Sequence, residues 1–169
     1  MIIIFIEFIK IHNQIKLWIY YLNNYQIYIK RMFYCELLSG IWIGDTDILL
    51  KDQFISDNNI KLIINCTKIF DFPKIKDVKK IRIPFSEYKE SNDDIFLLRE
   101  NKDKLLSIIK DNIDNNMLIC CYNGKSISPF IVSLFIDKYS KLDHTSIYPI
   151  LLSKNKELES WCDISIFSS

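Results

Sequence analysis

Met117-Leu118-Ile119-Cys120-Cys121-Tyr122-Asn123-Gly124-Lys125-Ser126-Ile127-Ser128-Pro129-Phe130-Ile131-Val132-Ser133-Leu134-Phe135-Ile136 is the stretch on which the reading of the fold turns. Its opening is a short apolar run without alternation, the pattern of a strand buried on both faces. The run stops at a cysteine. A glycine-bearing segment follows and ends in Ser128-Pro129, which predicts a tight loop entering a helix, because serine suits an N-cap and proline the first helical position. The helix continues as an apolar run. Strand, loop and helix N-terminus together aim several backbone N–H groups at one point, an arrangement suited to an anion. Cys121 stands at its mouth.

The same residues resemble the signature loop of the cysteine-dependent protein tyrosine phosphatases, and within them the dual-specificity phosphatases, whose pattern is His-Cys-x-x-Gly-x-x-Arg-Ser/Thr. The resemblance puts Cys121 at the nucleophile, Gly124 at the glycine and Ser128 at the hydroxyl after the arginine. It also implies that Tyr122, Asn123, Gly124, Lys125, Ser126, Ile127 and Ser128 form the phosphate-binding loop. Two positions depart from the pattern: Cys120 replaces the histidine and Ile127 replaces the arginine. That arginine is implied to hold the phosphate by paired hydrogen bonds and to carry transition-state charge, which a planar guanidinium does and an alkyl chain does not.

Working outward, 169 residues are enough for one domain with a proper core. The net charge of +1 creates no global field, so no nucleic-acid partner is expected. Five cysteines without CxxC spacing suggest reduced thiols in the cytoplasm rather than a disulfide framework. With two histidines and no clustered ligands, neither a metal nor another cofactor is expected.

Residues 1–31 are crowded with Ile, Tyr and Phe, but Glu7, Lys10, His12 and Lys16 interrupt any run able to span a bilayer. They lack the basic start and small-residue cleavage site of a secretory signal. Three alternatives stand for this extension: an added helix packing on the domain or a partner, an interfacial membrane helix, or sequence upstream of a working start at Met32. Poxvirus members of the resembled family dimerise through an N-terminal helix, so a homodimer is one arrangement the extension would allow. The domain itself is placed at residues 32–169.

Within it, residues 40–45 alternate around Trp42 and predict a strand and turn. A helical face follows over 46–57, with Asp45 or Thr46 as cap. Residues 61–67 predict a buried strand in which Cys66 is a core residue, and residues 79–85 another strand. Ile95, Leu98, Leu105, Ile108 and Ile109 have helical spacing across 94–112, which makes a crossover helix feeding the Met117 strand. A further helical segment begins at Asp143, weakened by Pro149, and a short irregular tail holds Leu158, Trp161, Ile164 and Ile166. The expected fold is therefore α/β, a central, mostly parallel twisted sheet of four to five strands flanked by helices. The resemblance spans residues 39–156.

The resembled reaction needs a thiolate that attacks phosphorus and an acid that protonates the leaving oxygen. After its Ile-Pro step the family supplies an aspartate; here Ile83-Pro84 leads to Glu87, while Asp93 and Asp94 read better as caps of the next helix. Without the arginine, the rate falls on the order of a thousandfold or more. Lys125 is the candidate replacement cation, turned inward to phosphate or outward at the rim. Ser128 is either a partner of the thiol or a helix cap. For Tyr122 and Asn123 the backbone amides are expected to matter more than the side chains. The expected protein binds phosphorylated partners, on tyrosine or on serine/threonine, with impaired catalysis. The alternatives are a slow phosphatase using Cys121 and Glu87, and a scaffold that keeps only the fold, with Ile127 packed into the vacated space.

Overall fold

Alternation along one central strand sets the layers of this molecule. The computed structural model describes residues 31–87 and 91–167; the expectations for the N-terminal extension fall, apart from Arg31, outside the described residues. The strands are β1 (Tyr34–Leu38), β2 (Ile41–Gly44), β3 (Ile60–Asn65), β4 (Lys79–Arg82) and β5 (Asn116–Cys120). They form one sheet in the order β1-β2-β5-β3-β4, parallel throughout except for the β1-β2 hairpin. Helices are α1 (Asp52–Asp57), α2 (Asn92–Asp111), α3 (Ile127–Tyr139) and α4 (His144–Lys154). This is the mostly parallel α/β architecture that the sequence predicts.

β5 lies in the middle with β2 and β3 as neighbours, so both its edges are paired. Met117, Ile119 and Cys121 enter a large core with Leu98, Leu105 and Ile109 of α2, Ile131 and Leu134 of α3, and Ile147 and Leu151 of α4. Leu118 and Cys120 enter the smaller opposite core with Ile48, Leu49 and Ile55. The two-residue period of a strand thus sends the adjacent cysteines to opposite faces. Both are free thiols.

Several boundaries differ from the sequence reading. β1 escaped it, because this edge strand buries little besides Leu37 and so carries no alternation; its turn is closed by Gly40 N donating to Glu36 Oε1. The helical stretch after Asp45 is two pieces, a 3-10 turn Thr46–Leu50 and then α1, parted at Lys51. Asp45 does cap the first piece, accepting from Asp47 N. Ser91, not Asp93 or Asp94, caps α2. Pro149 lies inside α4, whose buried Ile147 and Leu151 hold it against the core. The tail is irregular until a 3-10 turn at Ile164–Phe167, yet Leu158, Trp161 and Phe167 are core residues. Trp161 packs edge-on against Phe85 and Phe130, with ring centroids 5.7 and 5.1 Å away.

Candidate functional site

The loop after β5 starts from a fixed floor. Cys121 N donates to Gly44 O at the end of β2, and Cys66 N donates to Cys120 O, so both neighbouring strands hold the residue pair that enters the loop. Asp45 is buried beneath it and accepts from Phe33 N through Oδ2 at 2.9 Å, which ties the start of β1 to the end of β2. Gly124 then crosses directly over that junction. Its φ is +71°, and a Cβ there would lie 2.6 Å from both Asp45 N and Gly44 C. Backbone conformation and close approach each require glycine here.

Helix α3 begins two residues earlier than Ser128-Pro129 suggests, with Ser126 at the N-cap position. Proline is tolerated at the third helical place because its missing N–H would have no intrahelical partner in the first turn. Ser128 is therefore not the cap. Its hydroxyl donates to Gly124 O at 3.0 Å and lies 3.2 Å from Cys121 Sγ, while Ser128 N donates to the same sulfur at 3.5 Å. Of the two alternatives for Ser128, the thiol partner is the one observed.

Asn123 departs most from expectation, because its side chain fills the loop. Asn123 Oδ1 accepts from Lys125 N at 2.9 Å, Ser126 N at 3.2 Å, Ser126 Oγ at 3.0 Å and the Cys121 thiol at 3.5 Å. The signal was present in the sequence, since Asn hydrogen-bonds to backbone two residues on and Asn-Gly marks a turn.

Lys125 is engaged at the rim. Nζ pairs with Glu157 Oε2 at 2.6 Å and lies 4.9 Å from the centre of the Phe33 ring. Ile127 is 5 % exposed and belongs to the large core. Tyr122 leans away from the sulfur toward the segment after β3: its hydroxyl accepts from Lys68 N at 3.3 Å and its ring meets Phe70 at 5.8 Å. That segment is fastened by Arg82, which donates to Thr67 O and Phe70 O, each at 2.6 Å.

Glu87 is exposed on the loop after β4. Cys121 Sγ accepts from Ser128 N, lies beside Ser128 Oγ and donates to Asn123 Oδ1; Glu87 is not among these partners. The preceding residue is anchored, because the buried Asp94 carboxylate accepts from Ser86 N at 3.0 Å and from the Ser86 hydroxyl. The tail, which the sequence left unassigned to the site, crosses the rim: Glu159 N donates to Lys125 O at 2.7 Å, and Asn123 Nδ2 donates to Glu159 Oε2 at 3.5 Å. Nothing in its composition marks Glu157 or Glu159 as rim residues.

Burial pushes the thiols of Cys66 and Cys120 well up from the ordinary value, and each is raised further by its cysteine neighbours. No group of three His, Cys, Asp or Glu among the described residues is placed to hold a metal. A cavity of about 700 Å³ is lined by α3, α4 and tail residues including His144, Tyr148 and Asp163, and none of residues 121–128 lines it.

This fold has counterparts among solved structures. The chain is similar to human DUSP28 with a TM-score of 0.68 and 12 % identity, covering 79 % of this chain and 91 % of that one. The chain has the dual-specificity phosphatase fold. The human tyrosine phosphatase-like serine/threonine/tyrosine-interacting protein gives a TM-score of 0.63 at 14 % identity, over 74 % of this chain and 85 % of that one. The tyrosine phosphatase OH1 from the Orf virus gives 0.58 at 10 % identity, over 79 % of this chain and 81 % of that one. No protein-family model matches the chain, and no curated protein matches it by sequence. Likeness at these identities fixes the dual-specificity phosphatase fold and leaves the chemistry to the loop itself. Among the described residues no helix is long and apolar enough to cross a membrane.

Proposed function

We propose that this protein is a dual-specificity-phosphatase-like pseudophosphatase, which holds phosphorylated tyrosine or serine/threonine segments of partner proteins in the Cys121 loop without efficient hydrolysis. The observation that carries this reading is Ile127, buried in the core at the place where the resembled pattern has its arginine. An alkyl group there offers no hydrogen bond to phosphate and no charge to a transition state. The remaining parts of a phosphate cradle support binding: Gly124 with its positive φ, the N–H groups of Lys125 and Ser126 turned to one point, and the first turn of α3. A reducing, cytoplasmic setting is proposed with it, on the strength of the five free cysteines.

A second reading, a slow phosphatase, is favoured by one contact: Ser128 Oγ at 3.2 Å from Cys121 Sγ, an arrangement that suits a nucleophile. Ile127→Arg separates the two. With the cradle otherwise intact, restoring the guanidinium raises aryl-phosphate hydrolysis by on the order of a thousandfold, and the activity disappears again when Cys121→Ser is added. For the wild type, phosphopeptide binding without turnover supports the pseudophosphatase. Turnover lost in Cys121→Ser supports the slow enzyme. Neither binding nor turnover, with no gain in Ile127→Arg, would mean that only the fold has been kept.

A further inference from the structure

Asn123 Oδ1 collects two backbone N–H groups, one hydroxyl and one thiol, all within 3.5 Å. A neutral amide oxygen has two lone pairs, so four donors exceed its capacity. That crowding is what an oxyanion, with more acceptor sites, would satisfy. The orientation of the amide follows from its partners, because backbone N–H groups require the oxygen to face inward. Its other end points to the tail, with Nδ2 3.5 Å from Glu159 Oε2. The tail is itself latched to the loop by Glu159 N on Lys125 O, and Glu157 neutralises the Lys125 charge.

From these contacts we propose that Asn123 is an internal occupant of the phosphate cradle and sets its affinity: an incoming phosphate must displace the Asn123 amide to reach the N–H groups of Lys125 and Ser126. The proposal rests on the reading of this loop as a phosphate site. Displacement is physically feasible, because the same donors bind a charged oxygen roughly twice as strongly as a neutral one. The plug therefore weakens binding without abolishing it. Selectivity follows as well, since a neutral acceptor replaces the amide with little gain, whereas a phosphate or tungstate dianion gains charge-assisted bonds at every donor.

Titration of the full chain with sodium phosphate and sodium tungstate, read by calorimetry, tests this. Asn123→Ala is expected to bind tungstate at least tenfold more tightly than the wild type, and Asn123→Asp to lose binding, because a carboxylate fills the cradle with like charge. In the wild type, saturating tungstate should shift the Asn123 side-chain amide resonances as the group leaves the loop. A plain structural role for Asn123 predicts the opposite sign, with Asn123→Ala loosening the loop and weakening the anion. Equal or weaker binding by a folded Asn123→Ala, with the wild type binding, overturns the plug and leaves the phosphate site standing. Absence of binding by the wild type and every folded variant overturns both. Should Asn123→Ala lower the unfolding temperature so far that it does not fold, Asn123→Gly, which leaves no side chain in the loop, carries the same expectation and the same refutation.

Discussion

The floor of the Cys121 loop and its mouth are held by different kinds of force. The floor is backbone bonded to backbone, with Cys121 N on Gly44 O and Cys66 N on Cys120 O, set beside the fully buried Ile43, Ile64 and Ile119. The mouth is made of side chains that reach across solvent, such as Lys125 to Glu157, where the glutamate is 64 % exposed. Packing keeps the floor whatever chemistry is performed above it. An alkyl side chain at this place in the loop is therefore compatible with the fold, because Ile127 packs into the core. The comparison implies that stability resides in the floor and in whatever ties the mouth to it, while charges at the mouth are free to vary.

The tie is Trp161, and its removal should have the largest effect. Its ring is 1 % exposed and lies among Phe85, Phe130 and Phe167, joining the tail to the loop after β4 and to the first turn of α3. Truncation of a large buried aromatic costs about 3–5 kcal/mol, so Trp161→Ala should lower the urea midpoint sharply. Its Nε1 is buried without a hydrogen-bond partner among the described residues, a loss of about 1–3 kcal/mol for such a group. Trp161→Phe, which removes that N–H and keeps most of the ring, should therefore cost much less than Trp161→Ala. If the two variants unfold at the same denaturant concentration, the tail is not held by packing and the distinction between floor and mouth fails.

The floor can be probed alone through its thiols. Cys66 and Cys120 are buried, and desolvation raises both above the ordinary value of 9.0. For each, the unfolded chain releases its proton first on the way up in pH. Their contribution is thus fully present below about pH 9 and is lost as pH rises from there toward the folded-state value, at about 1.4 kcal/mol per pH unit per thiol. Urea unfolding of the wild type at pH 8 and pH 10 should show the loss, and a Cys66→Ala, Cys120→Ala pair should show a shallower slope. An equal slope would place the alkaline sensitivity elsewhere, in groups outside the floor.

The same division explains what could be read from the chain. The floor was legible because it is written in period: the unalternating Met117–Cys120 run and the helical spacing of Leu98, Leu105 and Ile109 are consequences of burial. Strand β1 was not, since an edge strand with one well-buried residue, Leu37, has no period to show. At the site, Cys121, Gly124 and Ile127 were visible as local pattern. Asn123 was visible only as a turn former, because its four donors depend on how the loop closes in space. Glu157 and Glu159 carried no signal at all: their place at the rim follows from Trp161 anchoring the tail some residues further on, and such pairing over 32 residues leaves no trace in local sequence.

The smallest expected effect tests the mouth directly. Lys125 and Glu157 form an ion pair at 2.6 Å with side chains 28 % and 64 % exposed. A pair this open is screened by solvent and is worth about 0–1 kcal/mol, with much of that lost in salt. Glu157→Gln should leave the urea midpoint within experimental scatter of the wild type. The change matters electrically, however, because it frees the Lys125 charge beside the loop and removes one carboxylate from its rim. Tungstate affinity should therefore rise by a factor of a few at low ionic strength and return to the wild-type value in high salt. A variant that loses stability while its anion affinity stays fixed would reverse the assignment, making Glu157 a structural latch and not a rim charge.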